Sequence, residues 1–322
     1  MSLLVPQRPK VVFLDRIAIR AQLRKLRFDH DWFEYPTTYP EDLVARLHGA
    51  SIAITNRARF GDEELSQLPE LRLIAVSATG YDSIDIEACR RRGVTVTNIR
   101  DWSTTAVAEH VFSLILALRR QLFLYRPLIE AGAWQESQFY GLLKDPLPGD
   151  LYGSTIGIVG NGHLGQRVAA LGAAFEMRPV MAEHKGRPPR QGRVRFEEVL
   201  QQCDVLCIAC PLTEETRGMI GAVELAQMKP GALLINCARG GIVDDAALAE
   251  ALTSGRLAGA GVDVLGQEPP RGGNPLLDLK LPNLIVTPHM AFASERSIRN
   301  LAEQLMTNIE AFVSGQPRNV VA

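Results

Sequence analysis

Neither sign of charge dominates this chain, and no apolar run in it approaches the length of a membrane span. Its 35 Lys and Arg stand against 36 Asp and Glu, a formal net charge of -1 over 322 residues. Without a basic field there is nothing to attract nucleic acid or an anionic membrane surface, so neither is expected as a partner. A spanning helix needs about 20 apolar residues, and polar residues interrupt every hydrophobic stretch before that. Five cysteines, an odd count in so long a chain, do not make a disulfide framework and fit a reducing compartment. The N-terminal MSLLVPQRPK has an apolar run too short for a secretion signal, broken at Pro6. A cytoplasmic location is expected. Short tandem repeats and low-complexity tracts are also missing.

What is present is the composition of an ordinary globular protein, 46% hydrophobic and 22% charged, in a chain long enough for two domains. The first hundred residues alternate strand and helix patterns. KVVFLD (from Lys10), SIAIT (from Ser51), LIAVSA (from Leu73) and VTVTN (from Val94) read as strands. IAIRAQLRKLRF (from Ile17), residues 41–48, GDEELSQL (from Gly61) and a segment through Cys89 closed by Gly93 read as helices. Such alternation predicts βαβ units and a parallel sheet. AVAEHVFSLILALRR (from Ala106) is apolar on nearly every face, which predicts a helix buried on all sides. Residues 121–150 read as irregular, with Trp134 and Phe139 as aromatic anchors. A second alternating series starts at Ser154: STIGIV, PVMAE (from Pro179), DVLCIACPL (from Asp204), ALLINCA (from Ala232), GAGVDV (from Gly259) and NLIVTPH (from Asn283). The last helix repeats Ile298, Leu301, Leu305, Ile309 and Phe312 at helical spacing. The fold class expected is α/β: two Rossmann-like or flavodoxin-like doubly wound parallel sheets with an interdomain cleft.

Gly160, Gly162 and Gly165 form G-x-G-x-x-G directly after a strand and before a helix. The first glycine permits the turn, the second lets backbone approach a pyrophosphate, and the third lets helix pack on strand. Glu183 ends the next strand, 18 residues after Gly165. A carboxylate there can hold the ribose hydroxyls and repel a 2′-phosphate, which favours NAD. His184, Lys185, Arg187 and Arg190 follow, a basic loop that leaves NADP possible. Hydride transfer to a 2-keto acid further needs a cation for the carboxylate, a proton donor at the carbonyl oxygen, and a partner for that donor. Arg239, Glu268 and His289 lie at or just past the ends of successive strands, where ligands bind in such sheets. Cys203, Cys207 and Cys210 lie on or beside an apolar strand with no nearby histidine and read as buried thiols, so no metal is expected. Arg90, Arg91 and Arg92 read as a solvated helix end, and His110 as a helix residue near the domain junction.

These segments together resemble the D-isomer-specific 2-hydroxyacid dehydrogenases over nearly the full length. The resemblance rests on ATGYDSID (from Ala78), TTAVAEH (from Thr104), GIVGNGHLG (from Gly157), CPLTEETRGMI (from Cys210), MKPGALLINCARGGIVDDAAL (from Met228), GAGVDVLGQEPP (from Gly259) and NLIVTPHMAFAS (from Asn283). It implies that Arg239 grips the carboxylate and polarises the carbonyl, and that His289, held protonated by Glu268, is the acid-base residue. It implies further that backbone N–H groups of Ala78, Thr79 and Gly80 bind the substrate carboxylate, with Thr79 also near the cofactor. His163 and Leu164 would line the pyrophosphate turn and Pro211 the adenosine. Asp263 would take the nicotinamide carboxamide, with Cys237 and Ala238 nearby. Phe292 stands where many members have tryptophan, and Glu183 replaces the commoner aspartate.

Within the family the chain looks most like glycerate dehydrogenases, which reduce hydroxypyruvate and often glyoxylate. The ATGYDSID loop and Gly132, Trp134, Ser137 and Phe139 carry that likeness. The substrate loop has no cation for a phosphorylated substrate, and with the last helix close to residue 322 no appended regulatory domain is expected. Residues 1–102 with 292–322 are expected to form the substrate domain and 103–291 the NAD domain. Residues 103–150 are expected to supply the helix and arm of a homodimer. The alternative is a dinucleotide-sensing, corepressor-like binding protein of the same fold. Turnover of a small 2-keto acid separates the two.

Overall fold

The structure, a computed structural model, describes residues 6–322, so most of the apolar run at the N-terminus lies outside the described residues. The chain divides into two compact units. One runs to Ser103 and is completed by Ala293–Ala322, and the other is Thr104–Phe292.

The first unit is built on β1 (Lys10–Phe13), β2 (Asp31–Glu34), α1 (Leu43–Leu47), β3 (Ile52–Thr55), α2 (Asp62–Ser66), β4 (Leu73–Val76), α3 (Ile86–Arg92) and β5 (Thr95–Thr97). All pairings are parallel, in the order β2-β1-β3-β4-β5. β3 and β4 are buried at every residue, as expected of parallel strands covered on both faces. Asp85 caps α3 by accepting from the Ala88 N–H, and Gly93 ends it in the left-handed conformation. The arginines of its last turn are paired, Arg90 with Glu87 and Arg91 and Arg92 with Asp62.

One expectation for this unit needs correction, and one strand carries no signal in the sequence. The segment from Ile17 is not a helix. It makes one short 3₁₀ turn (Arg16–Ala18) and then runs irregularly. Its apolar residues are not a core stripe, since only Ile19 and Leu26 are buried. Side chains satisfy it instead: Arg16 donates to the carbonyls of Ile19 and Ala21, and Arg24 bridges Glu303 and Glu310 near the C-terminus. The segment leads into β2, an edge strand whose DWFE is mostly exposed and carries no apolar alternation to mark it.

The second unit opens with α4 (Thr104–Arg119) and α5 (Leu122–Glu130). α4 buries Ala108, Val111, Phe112, Leu114, Ile115 and Leu118, while Thr105, Glu109 and Ser113 form an exposed stripe one turn apart. It is therefore not buried on all sides: apolar composition hid a polar i, i+4 row. α5 corrects the reading of 121–150 as wholly irregular. No residue of it is buried and Pro127 lies inside it, so it has no core-facing stripe to announce it.

The sheet follows with β6 (Thr155–Val159), α6 (His163–Ala174), β7 (Arg178–Met181), α7 (Phe196–Gln202), β8 (Val205–Ile208), α8 (Ala222–Gln227), β9 (Leu233–Asn236), α9 (Asp245–Thr253), β10 (Gly259–Val262), α10 (Pro275–Asp278) and β11 (Leu284–Val286). The order is β11-β10-β9-β8-β6-β7, again all parallel. A single parallel bridge, Ala182 to Val194, continues it beyond β7. The chain leaves β6 one way to β7 and the other way to β8, so the order reverses between β6 and β8. Ligands of open α/β sheets bind beyond the carboxyl ends of strands at such a reversal. The final helix, α11 (Glu295–Val313), belongs to the first unit. Ser294 caps it, and Leu301, Leu305, Ile309 and Phe312 are buried along it.

Candidate functional site

The loops at the carboxyl edge of the second sheet carry the residues singled out in the sequence, in one spatial order. From β11 across to β7 they are His289, then Asp263 and Glu268, Arg239, Pro211, the glycines 160–165 and Glu183. An elongated dinucleotide has its reactive ring at one end and its adenosine at the other, and the edge offers reactive groups at one end and the β7 acid at the other.

His289 is held from two sides. Its Nδ1 lies 2.5 Å from Glu268 Oε2, so Nε2 is the ring nitrogen left for another partner. The other oxygen of Glu268 accepts from the Leu265 N–H at 2.9 Å, which fixes the carboxylate. The backbone of His289 has φ 52°, unusual for a residue with a side chain. Asp263 maintains that turn. It is 1% exposed, and its carboxylate accepts from the Thr287 hydroxyl (2.5 Å) and from the Met290 and Ala291 N–H groups (2.9 Å each). Its carbonyl accepts from the His289 N–H at 2.8 Å. His110 Nε2 sits 3.0 Å from the Thr287 hydroxyl, tying α4 to the same loop. The Phe292 ring stands edge-on to His289, 6.0 Å between centroids.

Arg239 follows β9 and is half-buried. Its Nη1 donates to the Ala238 carbonyl, and Asn236 braces the turn from below, donating to the Arg239 carbonyl and accepting from the Ala238 N–H. A Cβ on Gly240 would fall 1.7 Å from the Leu265 carbonyl oxygen. Only glycine permits that approach, which brings the Arg239 turn against the loop bearing Glu268.

The glycine turn fits a dinucleotide phosphate. Gly160 has φ 115°, and a Cβ there would lie 2.5 Å from the Ala209 carbonyl oxygen; one on Gly165 would lie 2.0 Å from the Gly160 carbonyl oxygen. Both are required by packing. A Cβ on Gly162 would meet nothing within 4 Å, so its exposed backbone faces open space at the start of α6, where His163 and Leu164 begin the helix. Backbone N–H groups and the dipole at a helix start favour an anion there. Pro211 is exposed after β8, and Cys237 and Ala238 are buried after β9.

Glu183 is 2% exposed and fully engaged. Five donors reach its carboxylate: Arg190 Nε (2.7 Å), Arg190 Nη2 (2.6 Å), the Arg190 N–H (3.1 Å), Arg193 Nη1 (3.2 Å) and the His184 N–H (2.9 Å). The Arg190 guanidinium, then the His184 N–H, hold it far below the usual carboxylate range. Lys185 pairs with Glu224 and Arg187 with Glu215.

In the first unit the loop after β4 is knitted by neighbours. The Thr79 carbonyl accepts from Asn98 Nδ2 at 2.8 Å and its hydroxyl from Trp102 Nε1 at 3.0 Å. Ala78 accepts from the Ile99 N–H. Asp15, at the end of β1, accepts from the Thr55 hydroxyl and from the Asn56 and Arg57 N–H groups. Ala78 and Gly80 are half-buried and Thr79 is exposed.

Sequence reasoning missed Asn98, Trp102, Thr287 and the tie from His110, which are loop braces with no spacing rule. Gly240 was visible in the GG pair but not its role. No cluster of His, Cys, Asp or Glu suited to a metal occurs among the described residues. Burial pushes the Cys203 and Cys207 thiols up to about 12 and Cys89 and Cys210 to about 11, and raises Cys237 well above its ordinary value.

Residues 112–291 match the family model described as D-isomer specific 2-hydroxyacid dehydrogenase, NAD binding domain. The chain is 47% identical to a glycerate dehydrogenase of Methylorubrum extorquens, over 97% of this chain and 98% of that one. It is 32% identical to a hydroxypyruvate reductase of Blautia hydrogenotrophica, over 87% and 88%. Among solved structures, a D-lactate dehydrogenase from Aquifex aeolicus, complexed with NAD and lactic acid, superposes with a TM-score of 0.78 at 28% identity, covering 95% of this chain and 96% of that one.

Proposed function

Since the chain belongs to the D-isomer-specific 2-hydroxyacid dehydrogenases and is an NAD-dependent dehydrogenase, we propose that it interconverts hydroxypyruvate and D-glycerate, with glyoxylate and glycolate as a second pair, through His289, Glu268 and Arg239. The observation that carries the reading is the 2.5 Å contact of His289 Nδ1 with Glu268. It fixes the ring so that Nε2 serves the substrate. His289 donates its Nε2 proton to the carbonyl oxygen in reduction and takes it from the hydroxyl in oxidation. Glu268 orients the imidazole. Arg239 pairs its planar fork with the carboxylate and stabilises charge on the carbonyl oxygen. The N–H groups of Ala78, Thr79 and Gly80 take the carboxylate as well.

When bound, NAD supplies hydride exchange with C2 of the substrate. The residues proposed to hold it are Gly160, Gly162, His163, Leu164 and Gly165 at the pyrophosphate, Glu183 and Pro211 at the adenosine, and Cys237, Ala238 and Asp263 at the nicotinamide, with Thr79 alongside. The glycerate dehydrogenase and hydroxypyruvate reductase relatives support the substrate assignment. Tyr81, Trp134 and Phe292 are the side chains proposed to set the size of the substrate accepted.

The working form proposed is a cytoplasmic homodimer. Residues 122–152 expose Leu122, Phe123, Trp134, Phe139, Tyr140 and Tyr152, a concentration of apolar surface that a second copy would cover. No helix among the described residues is long and apolar enough to cross a membrane. Oxidation of NADH with hydroxypyruvate, glyoxylate, pyruvate and longer 2-keto acids in parallel tests the function. Fastest turnover with hydroxypyruvate is expected, and no turnover with any of them despite NADH binding would overturn it. Sedimentation of the wild type beside a Phe123→Glu, Trp134→Glu double variant tests the dimer, which the variant should dissociate.

A further inference from the structure

The acid at the end of β7 is the usual means by which such a sheet rejects a 2′-phosphate. It acts in two ways, accepting from the ribose hydroxyls and repelling the phosphate. Both need a carboxylate with lone pairs and charge to spare. Glu183 has neither. Its two oxygens offer about four acceptor sites, and five N–H donors of its own loop converge on them. Its single negative charge faces the guanidiniums of Arg190 and Arg193, at 2.6 and 3.2 Å. The trio therefore sums to one positive charge.

The layering matters as much as the sum. The Glu183 side chain is 1% exposed, whereas that of Arg190 is 59% exposed. Arg190 spends Nε and Nη2 on the carboxylate, and Nη1 lies outside that bidentate pair. An approaching ligand meets the guanidinium before it meets the acid. His184 is exposed beside it, while the charges of Lys185 and Arg187 are answered by Glu224 and Glu215.

We propose that Glu183 is a buried anchor for Arg190 and not a free ribose acid, and that Arg190 lets this enzyme take the 2′-phosphorylated dinucleotide, NADPH, nearly as well as NADH. The inference rests on the reading that Glu183 lies at the adenosine ribose. A guanidinium is well suited to a phosphate, since its planar fork matches phosphate oxygens. Arg190 is thus the specificity-determining residue, and Arg193 holds the acid from the interior side.

Equilibrium binding of NADH and NADPH to the full chain, followed by reduced-nicotinamide fluorescence without substrate, tests this. In the wild type the two dissociation constants should lie within about tenfold of each other, a difference of about 1.4 kcal/mol or less. Arg190→Ala should widen the preference for NADH to about a hundredfold, by weakening NADPH and freeing the carboxylate for the ribose. Arg190→Lys, which keeps the charge and guards against a loop that fails to fold, should retain most NADPH affinity. Glu183→Gln should shift preference toward NADPH. A wild type that rejects NADPH by more than about a hundredfold overturns the proposal while leaving Glu183 at the ribose, provided Glu183→Gln alters NADH affinity. If neither Arg190→Ala nor Glu183→Gln changes either affinity, the ribose placement is wrong and the proposal falls with it.

Discussion

Two glutamates stand near opposite ends of one sheet edge, and the chain treats them differently. Glu268 gives one oxygen to the Leu265 N–H and the other to the His289 ring. It is partly exposed and serves a residue that still has a reactive atom to offer. Glu183 is sealed, with every oxygen filled by its own loop. Residue type is the same in both cases, and each follows a strand at the carboxyl edge of the same sheet. What separates them is the set of donors each meets, and that set arises from loop geometry: Gly240 brings the Arg239 turn against the loop of Glu268, while the short return from β7 to Val194 folds Arg190 back over Glu183. An acid at that edge is thus a position whose role its neighbours decide.

The contrast can be broken at either end, and the largest effects belong to the reactive one. His289→Ala and Arg239→Ala should each lower kcat/KM for hydroxypyruvate by roughly a thousandfold, within the span of positioned acid-base and charge-assisted groups. NADH affinity should stay near that of the wild type. Glu268→Gln, which keeps the shape but removes the charge, should cost about ten- to a hundredfold in kcat with a smaller change in KM. Steady-state kinetics beside fluorescence titration reads all three.

Asp263 comes next, because it holds the turn that carries His289. Asp263→Ala leaves the Met290 and Ala291 N–H groups and the Thr287 hydroxyl without their acceptor, each worth about 1–3 kcal/mol when buried. A fall in thermal midpoint together with a fall in kcat is expected. Thr287→Val, which removes the hydroxyl that donates to Asp263 and meets His110 but leaves the Met290 and Ala291 N–H groups their acceptor, should show the same pattern more weakly.

At the adenosine end the expected signature is in pH. The Glu183 carboxyl sits below its ordinary range because of Arg190. A depressed carboxyl contributes stability that is present above its unfolded value, about 4.3 for glutamate, and is lost as pH falls toward the folded one. Glu183→Gln should therefore melt below the wild type at pH 7, with the gap closing as pH drops below about 4. A gap that does not depend on pH would mean that shape, not charge, holds the loop. The smallest effect concerns the thiols. Their raised values keep them protonated near neutral pH, so iodoacetamide should label the folded protein slowly and all five cysteines only after unfolding.

The sequence carried the sheets well, because parallel strands buried on both faces are nearly continuous apolar runs, as in IAIT, LIAV, TIGIV, VLCI and LLIN. It carried the glycine turn for a similar reason: Gly160 and Gly165 answer hard steric demands that leave no other residue possible. It misled where burial does not mark structure. β2 is an exposed edge strand, α5 buries nothing, and the apolar residues from Ile17 are held by Arg16 and Arg24, not by a helix. The contact between Glu268 and His289 bridges 21 positions, and their pairing was legible only through family motifs. The sealing of Glu183 was hidden because Arg190 and Arg193 resemble a solvated basic loop until the chain turns back on itself.

The central claim is that His289, oriented by Glu268, moves the proton in reduction of a 2-keto acid. Its most direct test is NADH-dependent reduction of hydroxypyruvate by the wild type and by His289→Ala, with NADH affinity measured on the same samples. Turnover in the wild type, its loss in the variant and unchanged NADH affinity are the predicted results. Undiminished turnover in the variant, or loss of NADH binding with it, would contradict the account.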